Sequence, residues 1–364
     1  MKRSKLATLL LTAGLAALVP LTTAAETLRV VSWGGSYVRS QILGFIRPFE
    51  QSTGIDVEVL EYAGGIGEIR AQVESWNVRW DAVDLQLFDA IKACDAGLLE
   101  KLDPDTLPPA PDGTPAREDF IDGALTECGV GNVIGSTVVA YDSDQLPSEP
   151  THLEDFFDTR KFPGRRALRR TPKVNLEWAL IADGVEPDSV YAELETRDGV
   201  DRAFRMLDRI KPVLSWWRTG SEAVQLLESG KVAMSSVYSG RVHATADAQT
   251  PLKIVWDHQV WYLDVWSIPM NGENIDTARE FIRFATSTRS LANQAGYIPY
   301  GPARRSSMAL LAPEVRRRLP TAEENFRTAF ESDDRWWSEN IDRLNHEFRQ
   351  WLKREVMVPE RLRR

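Results

Sequence analysis

The chain of 364 residues contains few of the side chains that bind metals or form covalent intermediates. It has four histidines and two cysteines, and the histidines lie in segments that lack the spacing of a metal site. No Gly-x-Ser-x-Gly motif, which would mark the nucleophile of an α/β hydrolase, occurs in the sequence. We therefore expect no metal, no cofactor and no catalytic residue. A secreted hydrolase with two carboxylates is the enzyme class that stays open, because acidic residues are abundant.

Long apolar runs are also missing, except at the N-terminus. There a basic segment at residues 2–5 precedes an apolar run at residues 6–21 and the small residues Thr23-Ala-Ala25. This pattern predicts a Sec-type signal peptide over residues 1–25, cleaved after Ala25, and an exported, periplasmic protein. The alternative is an N-terminal membrane anchor, for which the apolar run is short.

Positive charge is in deficit, with 44 lysines and arginines against 53 acidic residues and a formal net charge of −9. An acidic surface argues against nucleic acid or an anionic membrane as a partner. It is compatible with a small cationic ligand, although a global charge does not locate a site.

The two cysteines, Cys94 and Cys128, form an even pair in a chain that we expect to be exported. Such a pair predicts a disulfide bond. The alternative is two reduced cysteines that pack as small apolar side chains.

Strand and helix patterns alternate along the chain. Strands are indicated at residues 28–33, 55–60 and 82–87, and helices at residues 38–53 and 68–76 separate them. This order predicts an α/β fold with parallel strands. The alternation returns in residues 162–256. An amphipathic C-terminal helix is predicted by the apolar stripe of Trp337, Ile341, Leu344, Phe348, Trp351 and Leu352.

Two β-rich stretches, residues 130–141 and 256–269, are placed to carry the chain from one lobe to the other and back. We expect lobe 1 at residues 26–138, lobe 2 at 139–263, and a return to lobe 1 at 264–364. A cleft between the lobes is the expected ligand site.

Asp264 lies in the second stretch, within a run that otherwise reads as a buried strand. A carboxylate there needs a cationic or hydrogen-bonding partner, from inside the protein or from a ligand.

The chain resembles the periplasmic solute-binding proteins of ABC importers, in particular the spermidine/putrescine-binding group. The resemblance covers nearly the whole chain after residue 25 and depends on the order of several short motifs rather than on any single one. These motifs are Trp-Gly-Gly-Ser-Tyr at residues 33–37, Val-Asp-Leu-Gln-Leu at 83–87, Val-Ile-Gly-Ser-Thr at 133–137, Val-Tyr-Ser-Gly-Arg at 237–241 and Trp-Tyr-Leu-Asp-Val-Trp-Ser-Ile-Pro at 261–269.

The resemblance implies a two-lobed type II periplasmic binding protein fold with two crossovers. It also implies that Asp264 binds a ligand amine and that Tyr262 and Tyr238 flank it. Polyamine binders tend to read Trp-Asn-Gly-Ser where this chain reads Tyr238-Ser-Gly-Arg241. An arginine there is repulsive to a polycation but suits a carboxylate. We therefore favour an ω-amino acid such as γ-aminobutyrate (GABA) over putrescine or spermidine. The alternative is a polyamine binder with Arg241 outside the site.

The other candidates follow strand ends or lie at the first crossover. Each has a structural alternative: a cluster of aromatic residues on the lobe face, a helix cap in the case of Asp89, or packing at the hinge. Glu177 is off register with the second acidic group of the family. The candidate ligand contacts are Trp33, Tyr37, Phe88, Asp89, Ser136, Thr137, Trp217 and Arg218.

The expected function is lobe closure around the solute and delivery to the membrane subunits of an ABC permease. The same closed form can be presented to a chemoreceptor, which differs only in the partner that recognises it. We expect the protein to act as a monomer.

Overall fold

The structure, a computed structural model, describes residues 27–244 and 252–355, so the predicted signal peptide lies outside the described residues. The strands are β1 (Thr27–Ser32), β2 (Asp56–Glu61), β3 (Ala82–Gln86), β4 (Val130–Asp142), β5 (Arg166–Arg169), β6 (Leu214–Trp217), β7 (Met234–Tyr238), β8 (Leu252–Ser267), β9 (Gly301–Pro302) and β10 (Phe330–Glu331). The helices are α1 (Gly35–Gln41), α2 (Arg47–Thr53), α3 (Gly67–Glu74), α4 (Leu87–Asp95), α5 (Ala116–Asp119), α6 (Glu154–Phe157), α7 (Asn175–Ala182), α8 (Val190–Leu194), α9 (Arg197–Asp208), α10 (Gly220–Glu228), α11 (Ser239–His243), α12 (Ile275–Ala285), α13 (Thr288–Tyr297), α14 (Pro313–Arg318) and α15 (Asp334–Lys353).

The sheet contains the same three-stranded arrangement twice. Its strand order is β2-β1-β3-β8-β4-β7-β5-β6. Strands β1, β2 and β3 are parallel to one another, and so are β5, β6 and β7. In each group the third strand pairs antiparallel with a long strand, β3 with β8 and β7 with β4. We call the first group with its helices lobe 1 and the second group with its helices lobe 2.

The two long strands, β4 and β8, join the lobes. They have 13 and 16 residues and pair antiparallel with each other along most of their length. The predicted crossover stretch at residues 256–269 is therefore continuous with the residues from 252 onward, in one long strand. Every residue of β4 is buried, as the run of β-branched side chains predicts for a strand covered on both faces.

Each lobe has its own apolar core. In lobe 1, Phe45, Phe49, Trp266 and Phe281 make edge-to-face contacts with ring centroids 5.3–6.3 Å apart. In lobe 2, helices α7 and α9 pack together, and their buried side chains share a core with residues of α15.

Helix α15 confirms the predicted amphipathic stripe, since five of its six predicted apolar residues are buried and Leu352 is half-buried. The predicted boundaries assign residues 264–364 to lobe 1, and α12 does pack into the lobe 1 core. The buried residues of α15 instead enter the lobe 2 core, and the same helix contacts α4 of lobe 1. The C-terminal helix thus packs against both lobes.

The disulfide between Cys94 and Cys128 is present, with Cα atoms 5.8 Å apart, and it links the end of α4 to the segment before β4. Within residues 27–244 and 252–355, no helix has both the length and the apolar character needed to cross a bilayer.

Candidate functional site

The candidate site lies where the first and third strand of each lobe end. Because the carboxyl ends of parallel strands meet at one edge, side chains that follow β1, β3, β5 and β7 face a common crevice. Long strands β4 and β8 form its floor. Asp264, Tyr262 and Trp266 share one face of β8, and Gln86 and Asp84 of β3 lie opposite Asp264 and Trp266.

Asp264 is the central charge of this floor. It is 4% exposed, and its Oδ1 atom has no hydrogen-bond partner among the described residues. Burial raises the pKa of Asp264 well above its usual range, and the neighbouring charge of Asp84 raises it further. A buried carboxyl oxygen without a partner is costly, so this atom is suited to accept a hydrogen bond from a ligand.

Asp84 is a second buried carboxylate on the same face of the floor. Its Oδ2 accepts hydrogen bonds from Tyr37 Oη (2.9 Å), Gln41 Nε2 (2.6 Å) and Asn132 Nδ2 (3.0 Å). Its Oδ1 has no partner in the part of the chain that the structure describes. Asn132 stands at an irregularity of β4, between Gly131 and Val133. The predicted ligand contact Tyr37 is therefore engaged with a carboxylate inside the protein.

Tyrosine rings surround Asp264. Burial raises the pKa of five tyrosines, and the charge of Asp264 raises it further in each of them. They come from both lobes and from the floor, and they give the crevice aromatic walls with polar hydroxyls. The five are Tyr37, Tyr62, Tyr238, Tyr262 and Tyr300.

Tyr262 is positioned by a glycine across the floor. A Cβ atom on Gly135 would lie 2.6 Å from Cζ of the Tyr262 ring, so only glycine allows the ring to lie over β4. Tyr238 stands edge-on to Tyr262, with ring centroids 5.9 Å apart, and to Trp217, at 5.6 Å. Three predicted contacts thus form one continuous aromatic surface.

A small cavity of about 10 Å³ lies beside this aromatic surface, roughly the space of one water molecule, so the lining side chains nearly fill the crevice. It contains Thr137 but not Ser136, because successive residues of a strand face opposite sides. Val174 lines it with φ 72°, an outlier for a β-branched residue of the kind found at functional sites. The lining residues are Gln86, Thr137, Arg169, Lys173, Val174, Asn175, Trp217, Ser236, Tyr238 and Tyr262.

Arg241 crosses from lobe 2 to lobe 1. It is 3% exposed, so it does not point to solvent. Its Nη2 donates to the backbone oxygens of Trp33 and Gly34, both at 3.1 Å, and its Nη1 donates to Ser221 Oγ at 3.4 Å. Its Nε has no acceptor in residues 27–244 and 252–355. The guanidinium therefore ties the lobes together and keeps one donor for a further acceptor.

Arg169, at the end of β5, makes a second link between the lobes. Its Nη2 donates to the backbone oxygen of Ala63 in lobe 1 at 3.3 Å. Its guanidinium carbon lies 5.8 Å from the Tyr238 ring and 6.0 Å from the Trp217 ring. Arg169 is not among the residues predicted from the sequence. The signal that identifies it is its position at the carboxyl end of a parallel strand.

Lys173 brings another cation that the sequence analysis missed. It is 4% exposed, donates to Ser332 Oγ at 2.6 Å and lies 3.9 Å from Asp334. Its Nζ is 5.2 Å from the Phe88 ring and 5.8 Å from the Tyr262 ring. Phe88 therefore packs beneath a cation of the protein itself.

Two further candidates hold the loop between β2 and α3. Asp89 accepts a hydrogen bond from the Gly65 amide at 3.1 Å, and burial raises its pKa to about 6 although Arg169 and Lys173 lower it. The Trp33 ring packs at a tilt against Tyr62, with ring centroids 5.0 Å apart, and lies against Gly64. Its Nε1 has no partner within the described segments.

The structure separates Arg218 and Glu177 from the crevice. The Arg218 side chain is exposed and lines a surface cavity with Trp216 and Arg170. Glu177 is fully buried in lobe 2, where it accepts hydrogen bonds from Trp337 Nε1 (2.7 Å) and Tyr191 Oη (3.3 Å). Glu177 therefore joins α7 to α15.

One group among the described residues has ligand atoms close enough for a metal ion. His152, Glu154 and Asp257 place these atoms within 4.8 Å of one another on the surface of lobe 2. Asp257 already accepts hydrogen bonds from the Leu153 amide and from His258 Nδ1. We assign no metal to this group.

The fold and the crevice define a solute-binding protein, and comparison with known proteins places the chain in a family. The model of the bacterial extracellular solute-binding proteins matches residues 44–318, and the chain belongs to that family. The fold is the two-lobed type II periplasmic binding protein fold, as the resemblance implies.

Individual relatives span almost the whole chain. The γ-aminobutyric acid-binding protein of Pseudomonas aeruginosa is 37% identical over 90% of this chain and 92% of its own length. Among solved structures, the periplasmic binding protein MotA from A. tumefaciens B6 in complex with glucopine superposes with a TM-score of 0.83 at 27% identity, covering 90% of this chain and 100% of that one. The Atu4243 GABA receptor superposes with a TM-score of 0.79 at 29% identity, covering 92% and 99%.

Proposed function

We propose that the protein is the periplasmic binding component of an ABC importer for GABA or a related ω-amino acid. The observation that carries the proposal is a pair of buried polar groups without partners, one on the floor of the crevice and one in α11 at the contact between the lobes. Asp264 offers a carboxyl oxygen and Arg241 offers an Nε–H, and neither has a partner within the described residues. A zwitterion with an ammonium at one end and a carboxylate at the other satisfies both.

Asp264 binds the ammonium end in this proposal. A charge-assisted hydrogen bond from ammonium to a desolvated carboxylate is short and strong. The tyrosine rings around Asp264 add cation–π attraction of about 1–2 kcal/mol when the site is closed to water. Tyr262 and Tyr238 also cover the methylene groups between the two ends.

An arginine binds the carboxylate end. Arg241 is the first candidate, because its Nε is free and its other donors already fix its orientation. Arg169 is the second, because it lines the cavity beside Thr137 and Tyr238. Both arginines disfavour a polyamine, whose every polar group is cationic, and this argues against the alternative of a polyamine-specific binder.

Binding is coupled to closure in this proposal. Arg241 and Arg169 extend from lobe 2 to backbone oxygens of lobe 1. A ligand that bridges the lobes adds to these contacts and shifts the population to the closed form. The closed pair of lobes then presents the solute to the permease. The N-terminal signal peptide delivers the protein to the periplasm.

A thermal-shift panel tests the ligand class. GABA, β-alanine, 5-aminovalerate, putrescine and spermidine are each compared at increasing concentration. At a hundredfold excess over its dissociation constant, a ligand adds about 2.7 kcal/mol to the free energy of unfolding. We expect stabilisation by GABA and its homologues. Stabilisation by the diamine and polyamine alone would contradict the assignment of an arginine to the ligand.

Three arginine variants then identify the carboxylate contact. Arg241→Lys is expected to lower GABA affinity about tenfold or more, since lysine lacks the Nε–H donor and the fixed guanidinium geometry. Arg169→Lys tests the second candidate, and the matched control is Arg170→Lys, an exposed arginine outside the crevice. Equal GABA affinity in all three variants would remove both arginines from the site.

A further inference from the structure

Asp84 and Asp264 form a pair of carboxylates on one face of the sheet floor. Gln86 is directly opposite Asp264, and Asp84 is opposite Trp266. Asp84 and Asp264 are therefore diagonal neighbours on adjacent strands, about 7–8 Å apart at the backbone and within reach of each other's charge. Asp84 is 0% exposed and Asp264 is 4% exposed.

Burial raises the pKa of both carboxyl groups, but hydrogen bonds lower that of Asp84 in part, so Asp84 is the member of the pair that ionises more readily. Three donors converge on Asp84 Oδ2, and hydrogen bonds to a carboxylate favour its charged form. Asp264 has no comparable set, and its Oδ1 has no partner in the described part of the chain. Two negative charges at this separation in a water-poor site are costly, so the pair favours a single negative charge.

Other charged groups face Asp264 and do not cancel this effect. The acid Asp334, at the start of α15, adds to the repulsion, while Lys173 and Arg169 oppose it. Lys173 donates a hydrogen bond to Ser332, and Arg169 donates one to the backbone oxygen of Ala63. The remaining neighbours are the five tyrosines named above, which are neutral when Asp264 raises their pKa.

We propose that Asp84 is a positioning residue that keeps Asp264 protonated in the free protein, so that binding of an ammonium group releases one proton. The inference rests on the proposed role of Asp264 in amine binding. In the free protein the Asp264 carboxyl carries the proton. When the ammonium enters, the O–H bond breaks, the proton leaves to solvent, and the carboxylate accepts the ammonium hydrogen bond. The ammonium charge replaces the charge of the released proton, so the net charge of the site is unchanged.

The proposal predicts how the stability of the protein and its ligand affinity change with pH. Because burial raises the pKa of Asp264 in the folded protein, the folded state binds its proton more tightly than the unfolded state. This contribution to stability is present at low pH and is lost as pH rises toward the raised pKa. Ligand affinity changes in the opposite direction. It rises with pH, by up to about tenfold per pH unit, as long as Asp264 is protonated in the free protein.

Calorimetric titration with GABA measures the released proton. The binding enthalpy at pH 7 is recorded in phosphate, HEPES and Tris, and its slope against the buffer ionisation enthalpy gives the number of protons. We expect a value close to one for the wild type and less than half of that for Asp84→Asn, in which the repulsion is removed. Asp142→Asn is the matched control, because Asp142 is a buried aspartate at the far end of β4, and it should behave as the wild type.

A ligand-free measurement separates this inference from the proposed function. Protein labelled with ¹³C at the aspartate carboxyl carbon is titrated from pH 4 to pH 9, and the Asp264 signal is assigned from the spectrum of Asp264→Asn. We expect the Asp264 midpoint to fall by about one pH unit or more in Asp84→Asn. An unchanged midpoint would overturn the coupling whether or not GABA binds.

Failure of GABA to bind would contradict the proposed function. The ligand-free titration would still decide whether Asp84 and Asp264 are coupled. Binding of GABA to the wild type without proton release would overturn the inference alone. Because the wild-type arms require no substitution, the proposal stays testable even if Asp84→Asn does not fold.

Discussion

Two buried aspartates of lobe 1 and the floor show how differently a fold can treat the same side chain. Asp119 is 3% exposed and Asp264 is 4% exposed. Both oxygens of Asp119 are satisfied: Oδ2 accepts from Arg304 Nη1 (3.0 Å) and Ser306 Oγ (2.7 Å), and Oδ1 accepts from the Ser306 amide (2.7 Å). Asp264 Oδ1 has no partner in the described residues.

The difference separates a structural charge from a binding charge. Asp119 has a cation supplied by the chain, and Arg304 is held in turn by the Pro108 oxygen at 2.7 Å and the Phe120 ring at 4.4 Å. The two cations whose charges act on Asp264, Lys173 and Arg169, donate their hydrogen bonds to other groups. We infer that the partner of Asp264 comes from outside the protein.

The largest expected effect comes from breaking the ion pair between Asp119 and Arg304. Asp119→Asn leaves Arg304 as an uncompensated buried cation, and we expect the free energy of unfolding to fall by about 3–5 kcal/mol. Urea unfolding monitored by tryptophan fluorescence measures it. GABA affinity of the folded fraction should not change. A loss of affinity without loss of stability would reverse the roles of the two aspartates.

The second effect falls on binding rather than stability. Asp264→Asn removes the charge that holds the ammonium, and we expect GABA affinity to fall by about 2–5 kcal/mol. The free energy of unfolding at neutral pH should stay the same or rise, because a buried acid without a partner is removed. Calorimetry and urea unfolding of the same preparation give both values. Marked destabilisation with retained affinity would show that Asp264 is a structural residue like Asp119.

A smaller effect tests the aromatic wall beside Asp264. Gly135→Ala places a Cβ against the Tyr262 ring, and such overpacking costs about 1–3 kcal/mol. Since the ring must move, GABA affinity should fall as well. Gly67→Ala is the control, because a Cβ there meets no atom within 4 Å. Equal affinity in Gly135→Ala and Gly67→Ala would show that the position of Tyr262 does not matter for binding.

The smallest effect is expected at a surface ion pair close in sequence to Asp119 and Arg304. Arg305 and Asp122 also form an ion pair, at 3.1 Å, but on the surface, with side chains 55% and 104% exposed. Exposed ion pairs contribute little, so Asp122→Asn should leave the urea midpoint and GABA affinity unchanged. A midpoint shift comparable to that of Asp119→Asn would show that burial is not what distinguishes the two pairs.

The sequence predicted most of the elements that place the site. The strand–helix alternation, the two crossover strands and the C-terminal helix all follow from periodicity, and the parallel pairing of β1, β2 and β3 is confirmed. The pattern did not indicate β6 or α13 as separate elements. Strand β6 is only four residues long, and α13 consists largely of small and polar residues, so neither has a clear apolar period.

The site was predicted less completely than the fold. Asp264 was identifiable because a carboxylate in an apolar strand is conspicuous. Asp84 lies in a strand of the same kind, but its three donors come from α1 and β4, distant in sequence, and only the folded chain brings them together. Ser136 and Thr137 look alike in the sequence, and the register of β4 with β7 and β8 is what turns Thr137 to the cleft.

The most direct test of the account is a crystal structure of the protein with GABA bound. The account predicts the ammonium nitrogen at about 2.7–2.9 Å from a carboxylate oxygen of Asp264. It also predicts the ligand carboxylate at the guanidinium of Arg241 or Arg169, between closed lobes. A ligand whose ammonium is bound elsewhere, with Asp264 still unpartnered, would contradict it.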